Sequence, residues 1–455
     1  MAARKRTGRK AAALERTARG RAVRQLDRIE VGGAFAGLVG DDAAGEADPR
    51  ADRLVTEYVA GVTRWRRRLD FLIAHFYRGP YQKMEPTLRQ ILRLALYDLL
   101  FLGTPAHAAV HEAVELAKAF VRPGAGGLVN GLLRAVLRHR NALPVPQTGD
   151  PVEDLAIRAS HPTWMVRRWV ERFGTAETER LLAWNNARPV FGLRLSSRAD
   201  RAAVVALLDA HGVAWTPSPY LDDFLRLGQL QPVRAAGLLD NGRCAVQDES
   251  AGLVVRLLDP QPGETVLDVC AAPGGKARYA ADRMRGQGRL LAFDVNAGRL
   301  RLLAEAARGE GLALIETEAV DLRHLANRPD APRGDRVLLD APCSGLGVLA
   351  RRADLRWRRL PEALDELIRL QDELLDAAAR LVRPGGLLVY ATCTIEPEEN
   401  EARIAAFLKR HPDFTLEPAH PFVPGALVTS EGFFASLPHR HEIDGAFGAR
   451  LRRAG

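Results

Sequence analysis

The sequence predicts a multidomain protein with an all-α bundle, a small α+β module, and an α/β domain whose sheet is doubly wound and mostly parallel. Three observations predict this fold class. Apolar residues recur at helical spacing from Leu54 to Arg138. Short alternating segments and a helical segment lie between residues 150 and 243. From Cys244 onward, nearly all-apolar strand patterns alternate with helical patterns, which is typical of βα units around a parallel sheet.

We expect four segments along the chain: a basic disordered arm at residues 1–24, a helical domain at 25–145, the small module at 150–243 and the α/β domain at 244–455. The arm is almost free of acidic residues and lacks the apolar stretch of a secretory signal. It is predicted to contact RNA, and a transit peptide is the alternative. A helix with Ser160 as its N-cap should begin the small module.

Composition narrows the class of protein. No apolar run approaches the roughly 20 residues of a membrane span, so we expect no membrane partner. The four cysteines have neither disulfide-framework nor zinc spacing, which predicts no metal and a cytoplasmic location. The net charge of +9 favours a polyanionic partner such as nucleic acid, although an arginine-rich proteome is an alternative explanation.

Two smaller features of the chain are also candidates for binding. His107, His111 and Glu112 could form a ligand cluster, but the start of a helix with polar residues on its outer face is favoured. The arginine-rich stretch from Arg351 to Arg359 is predicted to bind RNA phosphates.

The α/β domain is predicted to contain four strands, Thr265–Cys270, Arg289–Val295, Arg336–Ala341 and Gly385–Thr392. Helices are predicted after Lys276, at Arg299–Arg308, at Pro361–Leu381 and at Glu398–Lys409. Open α/β sheets bind ligands at the carboxyl ends of their strands. Motifs at those ends are therefore candidates for a functional site.

A glycine-rich turn follows the first of these strands and predicts a cofactor site. It consists of Cys270, Ala271, Ala272, Pro273, Gly274, Gly275 and Lys276. It is neither a GxGxxG motif nor a Walker loop. Asp294 ends the next strand, 19 positions beyond Gly275, where a carboxylate can reach a ribose diol, and Asp321 is placed to reach an adenine edge. A phosphate-binding Rossmann turn and a turn without a ligand are the alternatives.

Two cysteines follow the later strands: Cys343 in DAPCSG and Cys393 in YATCTIEPEEN. A thiolate near loop amides and basic residues becomes a nucleophile. Either cysteine alone could be a small buried hydrophobic residue. Together, flanked by proline, glycine and Asp340, they favour covalent chemistry. Cys270 is expected to contribute packing or backbone to the turn, and Cys244 has no predicted chemical role.

The motifs LDVCAAPGGK, DAPCSG and YATCTIEPEENE together resemble those of the S-adenosylmethionine-dependent RNA cytosine-5 methyltransferases of the NOL1/NOP2/Sun group. The helical region resembles a NusB-like RNA-binding domain. SHPTWMVRRW resembles a segment of the bacterial RsmB (Sun/Fmu) subfamily, which methylates a cytosine of 16S ribosomal RNA. The resemblance covers roughly residues 25–455.

This resemblance implies a Rossmann-like methyltransferase domain in which the turn from Cys270 to Lys276 wraps S-adenosylmethionine. It implies that Asp294 binds the ribose, that Asp321 lies beside the adenine, and that Asp340 contacts both cofactor and cytosine. Cys393 would be the nucleophile and Cys343 the thiol needed for product release. The chain departs from the family pattern at Ala277, where threonine is usual, and at Thr394, where serine is common.

The implied activity is transfer of a methyl group to carbon 5 of a cytosine in 16S ribosomal RNA through a covalent cysteine–cytosine adduct. The RNA is expected to be unassembled or partly assembled, and the enzyme is expected to be a cytoplasmic monomer without metal. A transfer RNA methyltransferase, an inactive RNA-binding assembly factor and a nucleotide-dependent oxidoreductase are the alternatives. The sequence leaves the methylated nucleotide open.

Overall fold

A computed structural model of the chain describes residues 11–30, 48–239 and 242–455. The chain forms two compact units. The first comprises the described residues up to Ala187 together with Arg352–Arg358, and the second comprises Arg188–Arg351 and Arg359–Gly455.

The α-helices and strands of the described residues are numbered in chain order. The helices are α1 Ala18–Glu30, α2 Pro49–Phe76, α3 Pro86–Leu100, α4 Ala106–Phe120, α5 Ala125–Arg138, α6 Pro151–Arg158, α7 Thr163–Phe173, α8 Thr175–Asn186, α9 Arg201–Ala210, α10 Gln231–Ala235, α11 Glu249–Leu258, α12 Gly275–Arg283, α13 Ala297–Gly309, α14 Leu322–Leu325, α15 Leu355–Arg358, α16 Ala363–Arg380, α17 Glu401–Arg410 and α18 Pro438–His441. The strands are β1 Phe191–Leu195, β2 Trp215–Pro217, β3 Phe224–Leu227, β4 Cys244–Val246, β5 Thr265–Asp268, β6 Arg289–Asp294, β7 Ile315–Ala319, β8 Gly334–Asp340, β9 Val382–Thr392, β10 Phe414–Glu417, β11 Phe434–Ser436 and β12 Ala446–Arg453.

Helix α3 lies at the centre of the first unit. Most of its residues are buried, because apolar side chains occur on every side of PTLRQILRLALYDLL rather than on a single stripe. Two charged residues are buried with them. Arg93 bonds Asp70 through Nε at 2.6 Å and Glu30 through Nη1 at 2.5 Å. Such pairing is what allows a charge to remain in an apolar core.

The N-terminal boundary differs from its prediction. Helix α1 begins at Ala18 and buries Ala22 and Val23, so the expectation of a disordered arm to residue 24 is wrong for residues 18–24. The high arginine content concealed a buried face of small apolar residues spaced at helical intervals. Residues 1–10 of the predicted arm lie outside the described residues.

The boundary near residue 150 also differs from its prediction, because α6, α7 and α8 belong to the first unit. Arg67 in α2 donates from Nη1 to the carbonyl oxygen of His161 at 2.7 Å and to Oγ1 of Thr163 at 2.9 Å, which ties these helices to α2. Ser160 is not an N-cap; its hydroxyl oxygen accepts from the backbone amide of Arg67, and Pro162 precedes α7.

The predicted phosphate-binding stretch from Arg351 to Arg359 has a different role at its centre. Arg356 is fully buried in the first unit, where it donates to the carbonyl oxygen of Asn185 at 3.0 Å and to Oδ1 of Asn186 at 2.8 Å. Its donors are therefore used within the protein. The prediction of phosphate binding is wrong for Arg356.

The prediction that His107 and His111 lie on the outer face of a helix start is confirmed. Helix α4 begins at Ala106, and His107 and His111 are exposed on it, as expected for a helix start with an outer polar face.

The second unit contains two sheets. The smaller one is antiparallel, with strand order β2-β3-β1-β4, and corresponds to the β part of the predicted small module. The larger one follows the order β10-β12-β9-β8-β5-β6-β7, with β11 paired to β12. Strands β5 to β9 are mutually parallel, and β12 runs antiparallel to β9. The four predicted parallel strands are confirmed within a few residues, while β10, β11 and β12 were not anticipated.

The order of the larger sheet reverses between β5 and β8. From β5 the chain proceeds outward through β6 and β7, then returns to place β8 on the other side of β5. Crossover helices on the two faces then diverge at this switch point, which leaves a crevice beyond the carboxyl ends of the strands. Asp268 ends β5 and Asp340 ends β8, so both acids lie at the crevice.

Candidate active site

The predicted cofactor turn connects β5 to α12 beside the switch point. Gly274 precedes α12 with φ of +98°, and a Cβ atom there would lie 2.2 Å from Cδ1 of Leu303. Only glycine therefore fits, because any larger residue would suffer both the clash and the left-handed backbone strain. The turn is thus held close to α13.

Asp294 ends β6 and is held against this turn. Its Oδ2 accepts from the backbone amide of Ala272 at 3.0 Å, and its Oδ1 accepts from the amide of Asn296 at 2.8 Å. Arg299 donates to the carbonyl oxygen of Ala272 at 2.7 Å, which fixes the turn from the other side. The turn and the acid predicted to act together are therefore neighbours. Ribose binding by Asp294 stays a prediction.

Asp321 follows β7 and is the N-cap of α14. Its carboxylate accepts from the amide of Arg323 at 2.8 Å and from Nη2 of the same arginine at 2.7 Å. The hydrogen bonds from Arg323 hold the pKa of Asp321 below its usual value, so the residue is ionised at neutral pH. Its role beside an adenine stays a prediction.

Two polar residues at the turn were missed by the sequence analysis. Asp268 is 2% exposed, and among the described residues neither of its carboxylate oxygens has a hydrogen-bond partner. Both polar atoms of the Gln247 side chain are likewise buried without a partner, and its Nε2 lies 3.8 Å from the point where a Cβ of Gly275 would be. The unpaired state of these atoms is a tertiary property, and no sequence signal could have found it.

The pKa of Asp268 measures how poorly this carboxylate is satisfied. Burial raises it to about 7, and repulsion from Asp340 adds to the effect. A buried anion without a partner is costly, and a cationic ligand group would remove that cost. S-adenosylmethionine carries a positive sulfonium and an amino group, so the residues at the turn fit this cofactor.

Lys276 joins the turn to the second motif. Its Nζ lies 2.6 Å from Oδ2 of Asp340, which ends β8. Burial alone would lower the pKa of Lys276, but the charge of Asp340 outweighs it and the net shift is upward, with a smaller contribution from Cys393. The ammonium is therefore charged and lies near the thiol motifs. The sequence analysis predicted both residues at the site without predicting this ion pair.

The structure brings the two predicted thiols together. Sγ of Cys343 lies 3.4 Å from Sγ of Cys393, and each of these residues is partly buried. They meet because β8 and β9 are adjacent and parallel, with Asp340 paired to Ala391, so both loops leave the same edge of the sheet. The hydrogen bond with Cys393, followed by burial, raises the pKa of Cys343 well above its usual value.

The other two cysteines lie in different surroundings. Cys270 is in the cofactor turn, where burial, with a further contribution from Asp268, raises its pKa. Cys244 is buried in the smaller sheet, and burial raises its pKa to about 11. A protonated thiol is a poor nucleophile. Neither cysteine was predicted to be a nucleophile, and the raised pKa of each is consistent with that prediction.

Neither a His, Cys, Asp and Glu cluster suited to a metal ion nor a helix long and apolar enough to cross a membrane occurs in residues 11–30, 48–239 and 242–455.

The strand order, the glycine turn after β5 and the acids at the carboxyl ends of β5, β6 and β8 define a Rossmann-like methyltransferase domain. Comparison with protein families agrees. Residues 255–452 match the 16S rRNA methyltransferase RsmB/F family, residues 16–138 match the NusB family, and residues 161–234 match the ferredoxin-like domain of RsmF/B-like methyltransferases.

Relatives and solved structures cover most of the chain. It is 36% identical over 409 residues to the probable ribosomal RNA small subunit methyltransferase B of Bacillus subtilis, covering 88% of this chain and 90% of the relative. It is 40% identical over 416 residues to that of Synechocystis, covering 89% and 92%. The crystal structure of PH0851 superposes with a TM-score of 0.76 at 31% identity, covering 89% of this chain and 91% of that one.

The chain therefore belongs to the RsmB/F family of methyltransferases, and it is an S-adenosylmethionine-dependent RNA methyltransferase. NSun6 from Pyrococcus horikoshii, solved with SFG, is less similar in sequence and shows the same fold only. It superposes with a TM-score of 0.56 at 21% identity, covering 64% of this chain and 97% of that one.

Proposed function

We propose that this enzyme methylates carbon 5 of a cytosine in 16S ribosomal RNA, and that Cys393 forms a covalent adduct with that base. One observation carries the proposal: two thiols lie 3.4 Å apart at the edge of the sheet where Lys276 and Asp340 form an ion pair. One thiol can attack the base while the other assists its release. A methyltransferase that acts on an already nucleophilic atom has no need of either thiol.

The cofactor would be held by the turn from Cys270 to Lys276, by Asp294 at the ribose and by Asp321 beside the adenine. We assign Asp268 to the positively charged end of the cofactor, because its carboxylate is buried without a partner. When bound, S-adenosylmethionine supplies an electrophilic methyl group on a sulfonium sulfur.

Carbon 5 of cytosine is too weak a nucleophile to take a methyl group unaided. The Cys393 thiolate attacks carbon 6, which forms a carbon–sulfur bond and moves an electron pair of the ring toward carbon 5 and N3. After carbon 5 has been methylated, its proton passes to solvent water, the electron pair of the C–H bond restores the double bond between carbons 5 and 6, and Cys393 leaves as a thiolate. Cys343, 3.4 Å from that sulfur, is placed to assist this release.

The ion pair of Lys276 and Asp340 serves the other side of the ring. Negative charge develops at N3 as Cys393 attacks, and a proton donated there stabilises the adduct. Asp340 is held by a charged lysine 2.6 Å away, so the two residues together retain a proton that can be shared with N3. In this arrangement Asp340 orients the base, and Lys276 keeps the local charge balanced.

The choice of ribosomal RNA rests on the names of the relatives and on charge. The curated relatives are described as ribosomal RNA small subunit methyltransferases. The chain carries a net charge of +9, which suits a phosphate backbone. We propose that the first unit binds RNA and that the second performs the chemistry. The target cytosine would be unstacked, as single-stranded or loop RNA allows.

Bisulfite mapping of RNA from cells with and without this protein tests the substrate. Unmethylated cytosines convert to uracil, whereas 5-methylcytosine resists. We expect one protected cytosine in 16S ribosomal RNA to become convertible when the protein is removed, and to be protected again when it is restored. A position lost from transfer RNA instead would establish the alternative substrate, and no lost position would favour an inactive assembly factor.

Substituting the two thiols tests the adduct. Cys393→Ala cannot form the carbon–sulfur bond, so it should bind RNA reversibly and yield no product. Cys343→Ala can still attack and methylate but stalls, which leaves protein covalently joined to RNA. A slowly migrating, nuclease-sensitive band on a denaturing gel should therefore appear for Cys343→Ala alone. The same band for Cys393→Ala would reverse the roles, and full turnover by both variants would refute the covalent mechanism.

A further inference from the structure

A buried carboxylate that the mechanism does not use lies behind the two thiols. Glu399 is fully buried. Its Oε1 accepts from the backbone amide of Ser344 at 2.8 Å and from Nε2 of Gln371 at 2.9 Å, and its Oε2 accepts from the hydroxyl of Ser344 at 2.5 Å. All three donors are neutral groups, so these contacts orient the carboxylate without cancelling its negative charge.

These contacts fix the position of Cys343. The hydroxyl of Ser344 also lies 2.7 Å from Oγ1 of Thr394, and Gln371 donates to the carbonyl oxygen of Pro342 at 2.9 Å. The residues on both sides of Cys343 are thus tied, through Glu399, to the segment that carries Cys393. The separation of 3.4 Å between the two sulfurs depends on this arrangement.

The charged and titratable groups around the two thiols are distributed unevenly. Glu399 and Tyr390 face Cys343, and the negative charge of Glu399 contributes to raising the pKa of that thiol, after the hydrogen bond and charge of Cys393 and after burial. The positive charge of Lys276, whose Nζ contacts Asp340, interacts with Cys393. Arg359 also approaches, but its guanidinium donates to the carbonyl oxygens of residues 343 and 344 rather than to a sulfur.

We propose that Glu399 is a positioning residue that keeps the proton on Cys343 and thereby makes Cys393 the thiol that ionises and attacks. The negative charge of Glu399 disfavours a thiolate at Cys343, whereas the positive charge of Lys276 favours one at Cys393. The Cys343 S–H then donates to the Cys393 thiolate. The inference rests on the proposed function, because it explains which thiol begins the covalent step.

The test measures the pH dependence of alkylation at each cysteine in the full chain, without RNA or cofactor. Iodoacetamide reacts with thiolates, and mass spectrometry of the digested protein separates the two sites. In the unsubstituted enzyme, Cys393 should be labelled at lower pH than Cys343. Glu399→Gln keeps the size and an acceptor oxygen but removes the charge, so the midpoint for Cys343 should move to lower pH and the difference between the sites should shrink.

Glu401→Gln is the matched control, because it removes the same charge two residues away and should leave both midpoints unchanged. Lower turnover by Glu399→Gln with a Cys343 midpoint identical to that of the unsubstituted enzyme would overturn the proposal and leave Glu399 a purely structural residue. If that variant does not fold, the unsubstituted enzyme still decides: equal labelling of the two thiols, or earlier labelling of Cys343, contradicts the inference.

Failure of this inference can be distinguished from failure of the proposed function. The labelling order depends only on the protein, whereas the adduct experiment depends on RNA and cofactor. Absence of an RNA adduct with an intact labelling order would refute the covalent mechanism alone. A trapped adduct with Cys343→Ala, together with unshifted labelling in Glu399→Gln, would refute the role of Glu399 alone.

Discussion

Asp98 in the helical unit and Asp268 in the methyltransferase unit are both buried carboxylates, 1% and 2% exposed, yet they are satisfied very differently. Asp98 accepts from Nε of Arg19 at 2.9 Å, from the hydroxyl of Tyr58 at 3.0 Å and from the hydroxyl of Thr104 at 2.6 Å. Asp268 has no partner for either oxygen among the described residues.

The comparison distinguishes a buried carboxylate that is paired within the protein from one that we propose a ligand pairs. The contacts of Asp98 join α1, α2 and α3, and they offset the cost of removing its charge from water. For Asp268, the charge of Lys276 and the backbone amide of Cys270 offset only part of that cost, and burial still raises its pKa to about 7. A fold retains such a group where a ligand completes it.

The largest effect is expected from Asp98→Ala. Removing this carboxylate leaves Arg19 and Tyr58 without their partner in the core, so the free energy of unfolding should fall by about 3 kcal/mol. Urea denaturation measures it. Glu179→Ala, which breaks the exposed pair with Arg158, should cost less than about 1 kcal/mol. Equal losses in the two variants would show that the Asp98 contacts have no special weight.

The second largest effect is expected on cofactor affinity in the variant Asp268→Asn. The fold should remain stable, because asparagine keeps the size of the side chain and one acceptor oxygen for the backbone amide of Cys270. The affinity for S-adenosylmethionine should fall by roughly tenfold to a hundredfold, the value of a charge-assisted hydrogen bond. Isothermal titration calorimetry measures the affinity. Undiminished binding would remove Asp268 from the cofactor site.

Measuring stability and cofactor affinity as a function of pH tests the protonation of Asp268. In the free enzyme Asp268 has a pKa of about 7, against 3.8 for an ordinary aspartate, so the folded state holds the extra proton between these values. Its contribution to the free energy of unfolding should therefore decrease as pH rises from about 4 to 7 and then level off. Cofactor affinity should weaken by up to about tenfold per unit below pH 7. Asp268→Asn should lack both slopes, and a variant that retains them would assign them to another group.

The smallest effect is expected from Asp294→Ala. Loss of the proposed ribose contact should weaken cofactor binding by roughly tenfold. It should also loosen the turn, since the amide of Ala272 loses its acceptor. Glu316→Ala removes an exposed carboxylate of the neighbouring strand β7 and should leave affinity unchanged in the same calorimetry. An unchanged affinity for Asp294→Ala would refute the ribose assignment.

Much of the fold could be predicted because its patterns are local. All-apolar strands such as LLVYAT and the repeated βα order indicated a parallel sheet. The buried face of α1 escaped prediction because arginine dominates its composition, and Arg356 was taken for an RNA contact because an exposed and a buried arginine look alike in a sequence. Strands β10 and β12 escaped because their charged residues, such as Arg450 with Glu417, are paired with each other on the sheet.

By itself the sequence determined the residue types at the ends of the strands: the glycine turn, the acids that follow it, and one thiol in each of two motifs. These follow from local spacing and from the rule that such sheets bind ligands at their carboxyl ends. Only the tertiary structure decided which groups meet. Strand pairing brings Cys343 to Cys393, and burial leaves Asp268 unsatisfied and sets Glu399 behind one thiol. Distance and desolvation create these properties, and neither exists until the chain is folded.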